Sequence, residues 1–499
     1  MATGYWLYLT MMLAGAALNA GAALWFRGTE SSDAAAAVPR QSGGAGSGRH
    51  WRPRSWTTAA AVATVAYLGL AVWAMFGEPL GLPRGFKTAI NAAAEPWAIM
   101  FLAAVVFALA SWFREVWVRP GPAWLLGNAL WLAVGLSWAD PHFATVAGQP
   151  DHLPVLAMVG AVLFFLWLGV AQAVENDRRM RRPAPNTVGC PESADAVDSP
   201  DASAPVEKLF ARKVLTWPDL VYIELIAACW ATAVLIAWSL LASAPLEAPA
   251  DPTQTPNPAK APWYFVGLQE LLVYGDAWWA GVAVPLLIIV GLAAIPYLDR
   301  SPTGSGYYSI AQRRFAWIVF LGGFLLLWIL PMIIGVFVRG PNWSAFGPYE
   351  PRDARRLTAE RRVTLSQWLG RAEAQFAQQP TADVPTARAQ FEGEHAAGEQ
   401  AVAPPAVDAS ETGRAAEPSR HPLVREGPGL VMVGGYFVAL PWLLACGPLR
   451  WACDRLGRGR YWAFSLLLLL MLLVPLKMIL HWTLALGAVV HLPEYGLSL

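Results

Sequence analysis

The chain holds 499 residues, 56% of them hydrophobic and only 14% charged, with 26 Trp and a mean hydropathy of +0.39. That balance is too apolar for a soluble protein of this size and implies an integral membrane protein, with lipid as its surroundings. A formal net charge of +1 implies no strongly basic or acidic partner and makes no case for nucleic-acid binding. Four cysteines, Cys190, Cys229, Cys446 and Cys453, stand singly, with no C-x-x-C pair and no C-x-x-C-H for covalent haem attachment. Cys446 and Cys453 fall at a predicted cytoplasmic helix end, where a disulfide is not expected.

A helix needs roughly 20 apolar residues to cross the hydrocarbon core. Ten segments meet or approach that length: 5–26, 57–76, 96–113, 121–138, 153–172, 219–242, 279–297, 315–338, 429–447 and 461–481. The third and fourth are short, and the fourth carries Asn128 and Ser137. Helix is the form that satisfies every backbone group in lipid, so the predicted class is all-α and polytopic, with about ten transmembrane helices. The first segment lacks the basic start of a signal peptide and reads as a span.

Basic residues gather on cytoplasmic loops. Here they follow the first span (Arg27, Arg40, Arg49, Arg52, Arg54), the fifth (Arg178, Arg179, Arg181, Arg182, Lys208, Arg212, Lys213), the seventh (Arg300, Arg313, Arg314) and the ninth (Arg450, Arg455, Arg458, Arg460). The loop 139–152 has none and the loop 243–278 has only Lys260; Arg84 and Lys87 after the second span are a mild exception. The alternation predicts a multi-pass protein of the inner (cytoplasmic) membrane, with the 243–278 loop and both termini on the periplasmic side.

The chain divides by composition into a five-helix amino-terminal membrane region of unknown role, 1–175, a flexible cytoplasmic linker, 176–206, a three-helix unit, 207–350, an extramembrane charged or disordered segment, 351–426, and two further spans, 427–499. A second linker-like stretch occupies 28–55, and Ala354–Gln379 is charged and of helical character.

The chemistry concentrates in the middle unit. In order along it stand W-P-D-L-V-Y at 217–222, N-P-A-K-A-P-W-Y-F at 257–265, L-Q-E-L-L at 268–272, I-P-Y-L-D at 295–299 and R-G-P-N-W at 339–343. Pro262 suits the first turn of a short helix, where a missing N–H costs nothing. Trp263, Tyr264, Phe265, Val266, Leu268, Leu271, Leu272 and Tyr274 give that helix aromatic and aliphatic surface suited to a bilayer interface.

In order and spacing these motifs resemble the carboxy-terminal domain of cytochrome b, the subunit IV type of quinol:cytochrome c oxidoreductase (cytochrome bc) complexes, over about 207–350. In that family three helices carry a quinol-oxidising pocket at the positive face of the membrane, and the loop between the first two holds a P-E-W-Y motif. A-P-W-Y at 261–264 stands in its place, with Pro262 where the family has glutamate. Glu270 is the nearest carboxylate on the same helix and the candidate proton acceptor, with Tyr264 the hydrogen-bond partner of a quinone oxygen. Pro262, Trp263, Tyr264, Phe265 and Glu270 are the expected quinone pocket. Read without the resemblance, Trp263 and Tyr264 are belt aromatics and Glu270 a solvated loop residue.

Other ionisable groups read as structural. Glu224 falls early in its span near the cytoplasmic surface, Lys477 and His481 stand i,i+4 near the outer end of the last span as interfacial anchors, and Arg339 caps the helix before it. Of the seven histidines, His50, His142, His152, His395, His421, His481 and His491, none lies inside spans two to five, so no paired haem ligands and no metal site are expected.

The resemblance implies a non-haem membrane subunit of a respiratory or photosynthetic quinol:electron-acceptor oxidoreductase, acting in electron transport rather than as an enzyme alone. Quinol is then the substrate and haem b belongs to a partner. The partners implied are a diheme cytochrome b-type subunit, a Rieske or other iron-sulfur protein and a c-type cytochrome. The alternatives are a transporter, which ten spans suit although its broken helices and midplane charges are scarce here, and a structural anchor whose quinone pocket has decayed.

Overall fold

Hydrocarbon offers no hydrogen-bond partner to the backbone, and the apolar segments answer by closing every ladder internally as helices. The computed structural model describes residues 2–35, 54–181, 215–241, 251–253, 255–298, 309–357, 363–370, 422–492 and 497–498. Most of both linkers, Cys190 and most of the 351–426 segment lie outside them. Among the described residues eight helices are long and apolar enough to cross a membrane, and nine if one bent pair counts as a single span.

Ten helices correspond to the ten expected segments. They are α1 (Ala2–Ala35), α2 (Arg54–Phe76), α4 (Pro96–Trp112), α5 (Pro120–Ser137), α6 (His152–Arg181), α7 (Thr216–Leu241), α9 (Trp279–Leu298), α10 (Arg314–Val338), α11 (Gly427–Cys446) and α12 (Arg458–Leu484). The two shorter segments are where the span count falls below ten. Helix α4 is joined to α3 (Arg84–Ala92) across a 99° bend. Pro96 has no N–H to continue the earlier ladder, so the chain turns and restarts there. Helix α5 carries two prolines in its first turn and Asn128 at its middle, and it is not among the eight helices that qualify as spans.

Proline shapes the long spans as well. Pro285, Pro331 and Pro441 each stand two residues beyond a helical turn widened to the i→i+5 pattern, at Trp279–Ala283, Leu325–Ile329 and Gly435–Ala439. A proline ring collides with the carbonyl four residues back, and a wider turn moves that carbonyl aside without breaking the helix.

The chain divides into two units, Met1–Gly267 with Ser301–Thr358, and Leu268–Arg300 with Ala359–Leu499. In the first, α1 and α2 pack together around Tyr8, Met12, Ala16, Tyr67, Ala71 and Ala74. Small side chains on both helices permit the close approach. Asn19 and Asn128 form the polar counterpart inside this bundle: Asn19 Nδ2 donates to Asn128 Oδ1 at 2.6 Å, and Trp124 Nε1 donates to Asn19 Oδ1 at 2.9 Å. Lys87 pairs with Asp140 at 2.6 Å, and Asp140 also caps the short helix Pro141–Ala147. Asp177 at the end of α6 accepts from the Ser309 hydroxyl and Ala311 N, which fixes the entry to α10.

In the second unit α9 packs on α12, and Tyr461 and Tyr436 hydroxyls donate to Pro441 O and Leu469 O, both at 2.7 Å, tying α11 to α12. The fold is all-α as expected, with four very short strands among the described residues. Strand β1 (Val363–Thr364) pairs in parallel with β2 (Leu486–Ala488), and β3 (His491–Leu492) pairs antiparallel with β4 (Leu497–Ser498). Strands β2, β3 and β4 follow α12, where hydropathy no longer marks a span. Cys229, Cys446 and Cys453 are free.

A Cβ added to Gly121 runs into the Trp56 indole. Gly121→Ala should therefore lower stability by about 1–3 kcal/mol through overpacking, measured as an earlier thermal unfolding midpoint in detergent.

Candidate functional site

The short helix α8 (Trp263–Leu271) begins where the sequence places it. The Pro262 carbonyl accepts from Phe265 N at 2.8 Å and Val266 N at 3.0 Å, while the proline itself brings no donor needing a partner. Upstream, Lys260 Nζ donates to Val336 O at 2.7 Å. Asn257 and Asn342 clasp each other: Asn257 Nδ2 donates to Asn342 Oδ1 at 2.8 Å, and Asn342 N donates to Asn257 Oδ1 at 2.6 Å. The N-P-A-K-A-P-W-Y-F and R-G-P-N-W stretches, far apart in sequence, thus meet side by side. Asn342 holds a left-handed backbone (φ 56°), a conformation that asparagine tolerates better than most residues.

Helix α8 leans on α10. Val266 joins Val155, Ile329, Met332 and Val336 in a buried cluster. Gly335 is the point of closest approach, since a Cβ there would lie 3.1 Å from both Val266 Cγ2 and Val266 O. The end of α10 is capped differently from expectation. Buried Arg339 donates to Trp343 O at 2.7 Å, and the carbonyls of Val336 and Phe337 are met by Lys260 and Arg352. Sequence alone gave no sign of Arg352, thirteen residues beyond.

The five expected pocket residues fall on different faces. Pro262, Trp263, Tyr264 and Phe265 are exposed, at 43%, 50% and 54% for the three aromatics. Glu270 is fully buried, at 0%. Tyr264 and Glu270 are six residues apart, which puts them roughly 120° from each other around a helix of 3.6 residues per turn. Glu270 is therefore not a solvated loop residue.

Within the second unit Glu270 has company that the sequence did not assign to it. The Tyr274 hydroxyl donates to Glu270 Oε1 at 3.0 Å, and both groups are buried. The Tyr274 ring sits edge-on to His481 and to Trp482, each at 5.4 Å between centroids. Lys477 and His481 belong to the same face of α12. Lys477 is only 5% exposed, with Nζ 5.8 Å from the centroid of the buried Trp279 ring, so it is a core residue and not an interfacial anchor. The signal in the sequence was a Lys and a His at i,i+4 in an otherwise apolar span. Glu224 lies exposed on α7, none of whose residues is buried among those described.

The histidines on spans are His152, at the first residue of α6 with Nδ1 against Val146 O, and His481 near the end of α12. No group of three or more His, Cys, Asp or Glu converges among the described residues.

Residues 249–335 match the family model described as cytochrome b (C-terminal)/b6/petD. The match takes in α8, α9 and most of α10, and leaves α7, the R-G-P-N-W stretch and the last two spans outside it. The motif resemblance is thereby borne out over the central part of its range. No curated protein and no solved structure matches the chain. The matched segment and the apolar helices describe a multi-pass membrane protein carrying a cytochrome b carboxy-terminal-type segment, of the kind found in bc-type complexes.

Gly335→Val places two methyl groups against Val266 and the α8 backbone. It should cost about 1–3 kcal/mol by overpacking and loosen α8, seen as faster hydrogen exchange across 263–271.

Proposed function

We propose that the chain is a membrane subunit of a respiratory or photosynthetic quinol:electron-acceptor oxidoreductase, and that α8 forms part of its positive-side quinol oxidation site. The observation that carries this reading is Glu270: a fully buried carboxylate, hydrogen-bonded by Tyr274, on the short helix inside the family-matched segment. Quinol gives up two protons as its electrons leave, and a proton acceptor sheltered from bulk water is what this chain would supply. Glu270 takes that role where Pro262 has replaced the motif's glutamate. Trp263, Tyr264 and Phe265, turned outward on the same helix, offer an aromatic lip to a ring arriving from lipid, and the Tyr264 hydroxyl bonds a quinone oxygen.

Electrons pass to groups on partners: a diheme cytochrome b-type subunit that carries haem b, a Rieske or other iron-sulfur protein, and a c-type cytochrome. The chain itself contributes no haem ligand in this reading. Helix α7 supports the docking role, because it is a 26-residue apolar span with none of its window buried among the described residues, a surface suited to a cytochrome b-type neighbour. The scarcity of Lys and Arg in the 243–278 loop supports an inner (cytoplasmic) membrane location with that loop on the periplasmic side.

Glu270→Gln keeps the shape and removes the proton acceptor. In membranes holding the assembled complex, quinol turnover should fall about 100-fold, within the range for loss of a general base, while the complex still assembles. Turnover equal to that of the parent removes Glu270 from the mechanism.

A further inference from the structure

A proton acceptor with no solvent exposure needs a way to pass its proton on. Four observations in the second unit converge on such a route. Tyr274 covers Glu270 with its hydroxyl, at 3.0 Å. The Tyr274 ring touches His481 of α12, one helical turn beyond Lys477. Lys477 Nζ is buried without a hydrogen-bond partner among the described residues, and it lies 3.2 Å from where a side chain would start on Gly275, the residue after Tyr274. Finally, Lys477 lines a small cavity of about 10 Å³ walled by Leu480, Leu486, Gly487, Ala488 and Val489. That volume approaches what one water molecule occupies. The carboxylate of Asp276, exposed at the surface, attracts the Lys477 ammonium.

A buried amine without a partner is costly and is kept in membrane proteins for proton or ion traffic more than for stability. We propose that Tyr274, His481 and Lys477 carry the proton received by Glu270 to the β2-capped end of α12, so that the segment beyond the family match completes the quinol site. The proposal rests on the quinol reading above. It names relay residues from a helix that the matched segment does not contain.

The balance is one proton and no electrons. Protonated Glu270 gives its hydrogen to the Tyr274 oxygen as the tyrosine hydrogen moves on to the His481 imidazole, which restores the carboxylate. The imidazolium then passes its proton to the Lys477 amine, one helical turn back on the same face of α12. The ammonium releases the proton to solvent beside Asp276, and the tyrosine hydroxyl turns back to Glu270.

The test uses the complete complex in native membranes, with quinol turnover, quinol KM and the solvent deuterium isotope effect as readouts, for Lys477→Met, Lys477→Arg, Lys477→His and Glu270→Gln. Methionine preserves the packing and removes the titrating group. Arginine keeps a charge but does not release its proton. The relay predicts that Met and Arg each lower turnover about tenfold at unchanged KM with a larger isotope effect, and that His restores part of the rate. Parent-like turnover in Lys477→Met or Lys477→Arg, alongside a slow Glu270→Gln, overturns the relay alone and leaves the quinol reading standing. Parent-like turnover in Glu270→Gln overturns that reading, and the relay loses its source.

Discussion

Removing a carboxylate from water is among the costliest things a fold can do, and the arrangement around Glu270 follows from it. The penalty amounts to several kcal/mol for an uncompensated charge, and a hydrogen bond from a neighbouring hydroxyl offsets part of it. Tyr274 supplies that bond from the next turn, and its ring is held in turn against His481 and Trp482. Helix α8 must stay in register for this to hold. Its first residues are fixed by the Asn257–Asn342 clasp, by Lys260 on the end of α10, and by the packing of Val266 on Gly335.

The chain joins a family-like middle to parts with their own rules. In 249–335 the spans accommodate Pro285 and Pro331 by widening a turn, and α11, outside that stretch, solves Pro441 in the same way. The amino-terminal helices instead rely on small residues and a buried Asn–Asn–Trp network. Under the proposed function, a loop without an acid at 262 and with a buried one at 270 rearranges the same chemistry. Under that reading the last span is part of the working machinery.

Much of this was legible from residue order. Apolar runs located the helices to within a few residues except at linker-facing ends such as α1 and α6, because the lipid requirement acts through length and hydropathy alone. The short helix after Pro262 was legible from proline at its start and aromatics behind it. The 99° bend between α3 and α4 was not, because an apolar run marks where α4 begins without saying how the chain before Pro96 turns. Lys477 looked like an anchor since sequence reveals its nearness to a helix end and not the β2 cap that buries it. The pairing of Tyr274 with Glu270 is an i,i+4 relation that was available, but only burial gives it meaning. Arg352 and the strand pairs depend on contacts between distant residues, for which a single sequence holds no register.

The central claim, that Glu270 receives a proton from quinol, is tested most directly by infrared difference spectroscopy of the complex during quinol oxidation. The account predicts a carboxylic-acid carbonyl band that appears with turnover, shifts in deuterium oxide and is missing in Glu270→Gln. A spectrum without that band, or one in which it persists in the Gln variant, would contradict it.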